Sequence, residues 1–515
     1  MLTRTDIATL IAEDGDTRPV AIIIGAGFGG LASAIRLGAK GYRCVVLDKL
    51  DSPGGRGTAH HQGGYRFDLG PTIVTVPQAF EELWRAAGRD FHADVDLRHL
   101  KDYYTIRFPD GSDFTVTGDQ DQMRAEVAKL SPGDVAGYDK FMADSEKRYW
   151  FGFENLGRRP MHQLWELIKV LPTFAWFRAD TSIYQRAAKR FKDERLRMAF
   201  SFHPLFIGGD PFNVTSIYAL VSYLEKAFGV HYAMGGAAAI AQGMADVIEG
   251  QGGLIRYKTD VDQIIVENDT ATGVKLSDSS SIPAAIVVSN ADAGFTHSHL
   301  LRNHHKKRWT DAKLKRARWS MSLYVWYFGT KGTADMWPDI GHHTIINGPR
   351  YEGLVKDIFI NGKLADDMSI YLHRPSQTDP SCAPDGCDAW YALSPVPHLG
   401  HDSPVDWAAE APAYHAKMIA ALEEHIPGFA NQVEQSHVMT PEDFRDRYHS
   451  PYGAGFSIEP RILQSAWFRP HNVNETVKNL YQVGAGSHPG AGLPGVVSSA
   501  EVLDKLVPEA AHVRP

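Results

Sequence analysis

Val20-Ala21-Ile22-Ile23-Ile24-Gly25-Ala26-Gly27-Phe28-Gly29-Gly30 sets a run of apolar, mostly β-branched residues directly before a cluster of glycines. Such an unbroken run predicts a strand buried on both faces of a parallel sheet. Beyond Gly30, the apolar residues Leu31, Ala32, Ala34, Ile35 and Leu37 recur at helical spacing as far as Gly41. Cys44 to Leu47 then reads as a second strand that ends at Asp48. This is a βαβ unit with glycines at its first turn. Gly25 and Gly27 permit a tight turn and close approach of a pyrophosphate, and Gly30 lets helix and strand pack closely. The helix N-terminus offers unpaired amides to the anion. Asp48 stands near the offset of an acid that binds ribose hydroxyls. The pattern predicts an α/β, Rossmann-type dinucleotide site without choosing between FAD and NAD. In Pro53-Gly54-Gly55-Arg56-Gly57 an arginine rides on a glycine turn beside that nucleotide, placed to pair with phosphate oxygens.

A chain of 515 residues exceeds what one hydrophobic core organises, so two or three domains are expected. Hydrophobic residues make up 43% and charged residues 22%, near the average of globular proteins. A net charge of -8 without long runs of one sign excludes the basic face that a nucleic-acid partner demands. The three cysteines, Cys44, Cys382 and Cys387, support neither a disulfide framework nor a metal-ligand spacing, which points to a reducing cytoplasmic setting. Met1 to about Pro19 reads as a loose leader. No window is apolar and long enough to span a bilayer, so membrane contact is expected to be peripheral. The texture of the chain predicts five stretches. Residues 1–80, 235–300 and 471–515 assemble the cofactor-binding domain. Residues 81–234 form a helical region facing substrate and membrane, and 301–470 an inserted mixed α+β substrate domain.

The segment Gly25 to Arg56, continued by Arg66-Phe67-Asp68-Leu69-Gly70-Pro71-Thr72, resembles the bacterial phytoene desaturases, which sit in a wider flavoprotein superfamily that includes amine oxidases. The likeness runs through Ser201-Phe202-His203 with Gly208-Gly209, Ser289-Asn290-Ala291-Asp292 and Gln464 to Asn472. It ends in the long motif Val483-Gly484-Ala485-Gly486-Ser487-His488-Pro489-Gly490-Ala491-Gly492-Leu493-Pro494-Gly495-Val496. The resemblance implies FAD held without a covalent link. It places Gly25, Gly27, Gly30 and Arg56, on its turn with Gly55, at the phosphates, and Asp48 at the ribose, where the family more often has Glu. The stretch around Val261 resembles the strand whose backbone meets the adenine. Gly484, Gly486 and the residues up to Val496 resemble the segment against the ribityl chain and the flavin ring. Gly484-x-Gly486-x-x-x-Gly490 is not a second dinucleotide fingerprint, because its spacing is one too long and Pro489 intrudes.

The resemblance implies dehydrogenation of phytoene to neurosporene- or lycopene-type carotenoids, by hydride transfer to flavin N5 and loss of a neighbouring proton, with oxygen or a quinone as electron acceptor. Such chemistry needs orientation and exclusion of water more than a metal or a triad. The adjacent pairs His60-His61, His304-His305 and His342-His343 read as solvated loops, and no metal site is expected. Between about Lys147 and Lys192, Trp150, Trp165 and Trp176 alternate with Arg148, Arg158, Arg159, Lys169, Arg178, Arg186, Lys189, Arg190 and Lys192, the composition of an interfacial anchor. Met161, Leu164, Trp165, Ile168 and Leu171 make one apolar stripe, which fits either a membrane-facing or a core-facing helix. Glu166 and Lys169, read on the opposite face, resemble an acid and base pair offered by the family for the proton. A solvated helix pair is the alternative reading. Other readings of the whole chain are a flavin-dependent carotenoid isomerase, a desaturase of a modified carotenoid, an amine oxidase, and a flavin-free prenyl carrier.

Overall fold

The computed structural model describes residues 15–513, so the leader expected over Met1 to Pro19 lies outside the described residues as far as residue 14. Val20–Ile24 occupies the centre of a five-stranded, wholly parallel sheet. Its order is Leu480–Gln482, Ile286–Ser289, Val20–Ile24, Arg43–Leu47, Leu254–Arg256. The strands come from three separated parts of the chain, residues 20–47, 254–289 and 480–482. Both faces of the sheet are covered, which is why the central strands are apolar without alternation. One face carries the helices Phe28–Ala39, Gly236–Gly250 and Leu493–Asp504, with Leu31, Ile35, Ile240, Met244 and Val497 in a common core. The other face packs on the three-stranded sheet that begins with Val261–Glu267.

A second large sheet has seven strands in the order Val433–Met439, Ser322–Thr330, Asp388–Val396, Ile370–His373, His343–Ile346, Asp102–Arg107, Asp113–Thr117. All its ladders are antiparallel except that between His343–Ile346 and Asp102–Arg107. Two of these strands lie inside residues 81–234, the stretch expected to be helical. Asp113-Phe114-Thr115-Val116 alternates polar and buried apolar residues, and the strand pairs with its neighbour Asp102–Arg107, but the other partner of Asp102–Arg107 is His343–Ile346, more than two hundred residues downstream, where local pattern does not reach. The remainder of that stretch is helical, including Val135–Tyr149, Leu164–Trp176 and Leu220–Phe228.

His342-His343 departs from the expected solvated loop. His343 starts a strand, His342 precedes it, and both rings are buried. Several cations assigned to lipid also face inward. Arg148 is buried against Asp144, Arg158 joins Glu82, Glu154 and Glu501, and Arg186 meets the same Asp144.

Candidate active site

A cavity of about 670 Å³ runs between the two sheets. One end is lined by Gly27, Phe28, Gly54, Arg56 and Gly57 together with Gly484, Ala485 and His488 to Val496. The other end is walled by apolar side chains, among them Phe153, Leu167, Phe206, Leu224, Leu323, Val325, Ile345 and Leu393.

The glycine end is built from close approaches that side chains would block. A Cβ on Gly30 would stand 2.1 Å from the Gly25 carbonyl oxygen, and one on Gly29 would stand 3.0 Å from Gly484 Cα. The first and last glycine turns of the chain therefore touch. Asn290, directly after the buried strand Ile286–Ser289, fills the space between them. Its amide would be met at 2.8 Å by a Cβ on Gly27 and at 2.6 Å by one on Gly484. Gly27 also bridges to Gly54, whose N–H donates to Ala26 O at 2.8 Å. That contact carries Gly55 and Arg56 to the same spot.

Asp48 is buried at the end of its strand. Its Oδ2 accepts from the Ala26 N–H at 2.6 Å and its Oδ1 from the Leu50 N–H at 2.7 Å. Burial pushes its carboxyl above the usual range while these two amides pull it back. Val261 opens its strand with a side chain buried beneath the parallel sheet. Two residues earlier, the Thr259 N–H donates to Asp48 O at 2.8 Å, which brings this segment to the expected ribose end. Arg56 reaches Ser450 Oγ through Nη2 and lies over the Tyr448 ring, while its buried Nε has no partner. A partnerless guanidinium nitrogen among glycines that leave the backbone bare fits a dinucleotide phosphate. Gly486 packs on Ala293, where a Cβ would stand 2.6 Å away, and Val496 lines the cavity at the start of Leu493–Asp504.

Two residues of the sequence motifs prove to be staples. Arg469, fully buried, donates to the carbonyls of Ile458, Gln464, Ala485 and Ser487 and so fixes the terminal glycine loop. His488 Nε2 lies 3.1 Å from both Leu156 O and Arg159 O, joining that loop to the chain that leads into Leu164–Trp176. Burial lowers its imidazole to about 4.

The apolar end holds polar groups that composition did not single out. Glu225 is the one carboxylate among the described residues that line the cavity. Its Oε2 accepts from the Tyr104 hydroxyl at 2.9 Å and lies 3.3 Å from His203 Nε2, with His203 Nδ1 unpartnered. Burial and the neighbouring Glu225 charge hold Tyr104 protonated, far above its usual range. His203 lay in the quoted Ser201-Phe202-His203 motif, but Glu225 and Tyr104 are separated from it by tens of residues and carry no sequence signal of their own. Nearer the glycine end, the Tyr371 hydroxyl stands 2.9 Å from Thr72 Oγ1 and that of Tyr391 donates to Gly70 O at 3.4 Å.

Glu166 and Lys169 lie elsewhere. They sit on Leu164–Trp176 with Lys169 Nζ 3.5 Å from Glu166 Oε1, and neither lines the cavity. Lys169 folds over the Trp165 ring, so the pair flanks the apolar stripe instead of opposing it. The stripe itself faces outward. Leu164, Trp165, Ile168, Leu171 and Trp176 are 49–69% exposed, whereas Met161 is buried with Leu167 and Val170. Leu171, Ile462 and Leu463 are both exposed and part of the cavity lining, and so mark where the cavity reaches the surface.

A family model described as flavin containing amine oxidoreductase matches residues 28–501. The chain belongs to that family. A neurosporene-forming phytoene desaturase of Cereibacter sphaeroides is 65% identical over 503 residues, 98% of this chain and 96% of that protein. One of the same description from Rhodobacter capsulatus is 61% identical, covering 95% and 94%. Within the family the chain therefore groups with the bacterial phytoene desaturases. The fold is shared with an oxidoreductase from Methanosarcina mazei at a TM-score of 0.61 and 19% identity, over 94% of this chain and 100% of that one. The chain is thus an FAD-dependent oxidoreductase with an α/β, Rossmann-type cofactor body. No helix among the described residues is long and apolar enough to cross a membrane.

Proposed function

We propose that this chain desaturates phytoene to a neurosporene-type carotenoid while docked on a membrane surface. The observation that carries this reading is the continuity of the cavity. It leads from an opening beside an exposed apolar helix, through an apolar passage, to the glycine-lined end where a flavin fits. A polyene dissolved in lipid enters such a passage without crossing water. An amine substrate would meet walls that are apolar apart from a few polar groups, with a single carboxylate among the described residues, Glu225, that Tyr104 and His203 already engage.

Gly25, Gly27, Gly30, Gly55 and Arg56 hold the FAD phosphates. Asp48 and the stretch around Val261 would hold the adenosine end, and Gly484, Gly486 and Val496 would lie along the ribityl chain and ring. When bound, FAD supplies the hydride acceptor. The protein orients the polyene, excludes water and takes the proton. His203 is the group suited to that last task. Its ring lines the cavity, and its Nε2 lies 3.3 Å from Glu225 Oε2, so a proton taken up by this pair has a carboxylate beside it. Glu166 and Lys169 belong on this reading to the docking face, and oxygen or a membrane quinone would be the final electron acceptor. The test is incubation of the FAD-loaded protein with phytoene in liposomes, read by absorption and mass. More double bonds and longer-wavelength bands support desaturation. A product of unchanged mass would instead identify an isomerase, and unchanged phytoene would point to a modified carotenoid as substrate.

A further inference from the structure

His343 and His373 are direct partners across the antiparallel ladder between His343–Ile346 and Ile370–His373. Opposite residues of such a pair project from the same face with neighbouring Cβ atoms. The Arg374 N–H donates to His342 O at 2.9 Å, which brings a third imidazole to the same place. One ring nitrogen of each histidine lies within 4.8 Å of one from each of the others, and all three rings are buried.

Two of the rings are held from behind. His342 Nδ1 lies 2.6 Å from Thr378 Oγ1, and His343 Nδ1 lies 2.7 Å from the Tyr371 hydroxyl, so each presents Nε2 to the group. Metal-bound imidazoles are oriented in this way by a fixed partner on the remote nitrogen. His342 Nε2 and His373 Nε2 are 3.1 Å apart. Two nitrogens on a tetrahedral ion with bonds of about 2.0–2.1 Å stand roughly 3.3 Å apart. A single shared proton also explains that contact, but it leaves His343 Nε2 buried with no partner. A cation accounts for both.

We propose that His342, His343 and His373 bind one divalent transition ion of the zinc class. Among the described residues the group contains no carboxylate or thiolate, which disfavours calcium and magnesium and suits zinc, copper or nickel. The ion clips two strands together behind the cavity wall, to which Ile345, Ile370 and Tyr371 contribute. Through His343 it also fixes the Tyr371 hydroxyl beside Thr72. The inference does not depend on the identity of the substrate.

The experiment is the metal content of untagged, FAD-loaded protein from zinc-supplemented cells, with ligand-field spectra of cobalt-grown protein read to the red of the flavin bands. About one equivalent of zinc and tetrahedral cobalt bands are expected, both lost in His343→Gln and His373→Gln. Thr378→Ala keeps all three imidazoles and is expected to weaken the metal roughly tenfold or more against a competing chelator, which decides the matter if the histidine variants fail to fold. Wild-type protein with less than about a tenth of an equivalent and no cobalt bands overturns the proposal, as does zinc retained in folded His343→Gln.

Discussion

Arg56 has a buried Nε without a partner and its one described hydrogen bond is to Ser450, so, although the buried Asp292 carboxylate acts on it through space, it makes no ion pair among the described residues. A phosphate supplies the partner. Arg56→Ala is therefore expected to weaken FAD binding at least about tenfold, a loss of about 1.4 kcal/mol or more, measured by flavin fluorescence titration; unchanged affinity would remove the phosphate role. His203→Gln keeps size and polarity but removes the basic nitrogen. Turnover of phytoene should fall roughly a hundredfold or more, the usual worth of a positioned base, with FAD affinity unaltered. Full activity in that variant would return the proton to Glu166 and Lys169 or to water. These cases differ in how far they were legible. Arg56 stands in a glycine turn a few residues from Asp48, so its place follows from local pattern. Glu225 and Tyr104 meet His203 only through folding, and Asn290 was visible as part of a motif but not as the side chain between two glycine turns.

Among the elements, Leu164–Trp176 is the one whose face was left open by its pattern. Apolar residues at helical spacing describe a stripe without saying what covers it, and here a second, shorter stripe of Leu167 and Val170 takes the core. The stripe of Leu164, Ile168 and Leu171 is left to solvent, or on our reading to lipid. Replacing all three by serine removes about 1 kcal/mol each of partial burial, about 3 kcal/mol in all, and so should weaken liposome binding roughly a hundredfold. Co-sedimentation checks this, with FAD stoichiometry as the control for folding. Equal sedimentation of variant and wild type would show that the helix does not meet the membrane. Strand Val20–Ile24 was readable for the opposite reason, since burial on both faces demands an apolar residue at every position. Asp102–Arg107 and His343–Ile346 were not, because the pairing of distant strands sets which polar residues are buried, and His343 finds its partners only across a ladder.

At the scale of the whole molecule, two bodies have to stay in register: the parallel-sheet body that holds the cofactor and the region that carries the helix Leu164–Trp176. His488 is a tie between them, from the terminal glycine loop to the carbonyls of Leu156 and Arg159. Its Nε2–H makes that tie in the neutral form. A second proton, on Nδ1, would find no acceptor, because that buried atom has no partner. Burial accordingly lowers the folded value from 6.5 to about 4. The sign follows from linkage. A histidine depressed on folding contributes stability that is complete above its unfolded value, and that contribution is lost as pH falls through the folded value. His488→Gln can keep a donor to the same carbonyls but has nothing to titrate. The stability advantage of wild type over this variant should therefore shrink between pH 6.5 and pH 4, by about 1.4 kcal/mol per unit and about 3 kcal/mol over the whole interval. Urea midpoints of both proteins at neutral pH and near pH 4 measure the difference, and other titrating groups cancel because both proteins share them. A gap that stays constant would mean that the loop meets the chain before Leu164–Trp176 through a histidine already free to charge, and the two bodies would then be held together by other contacts.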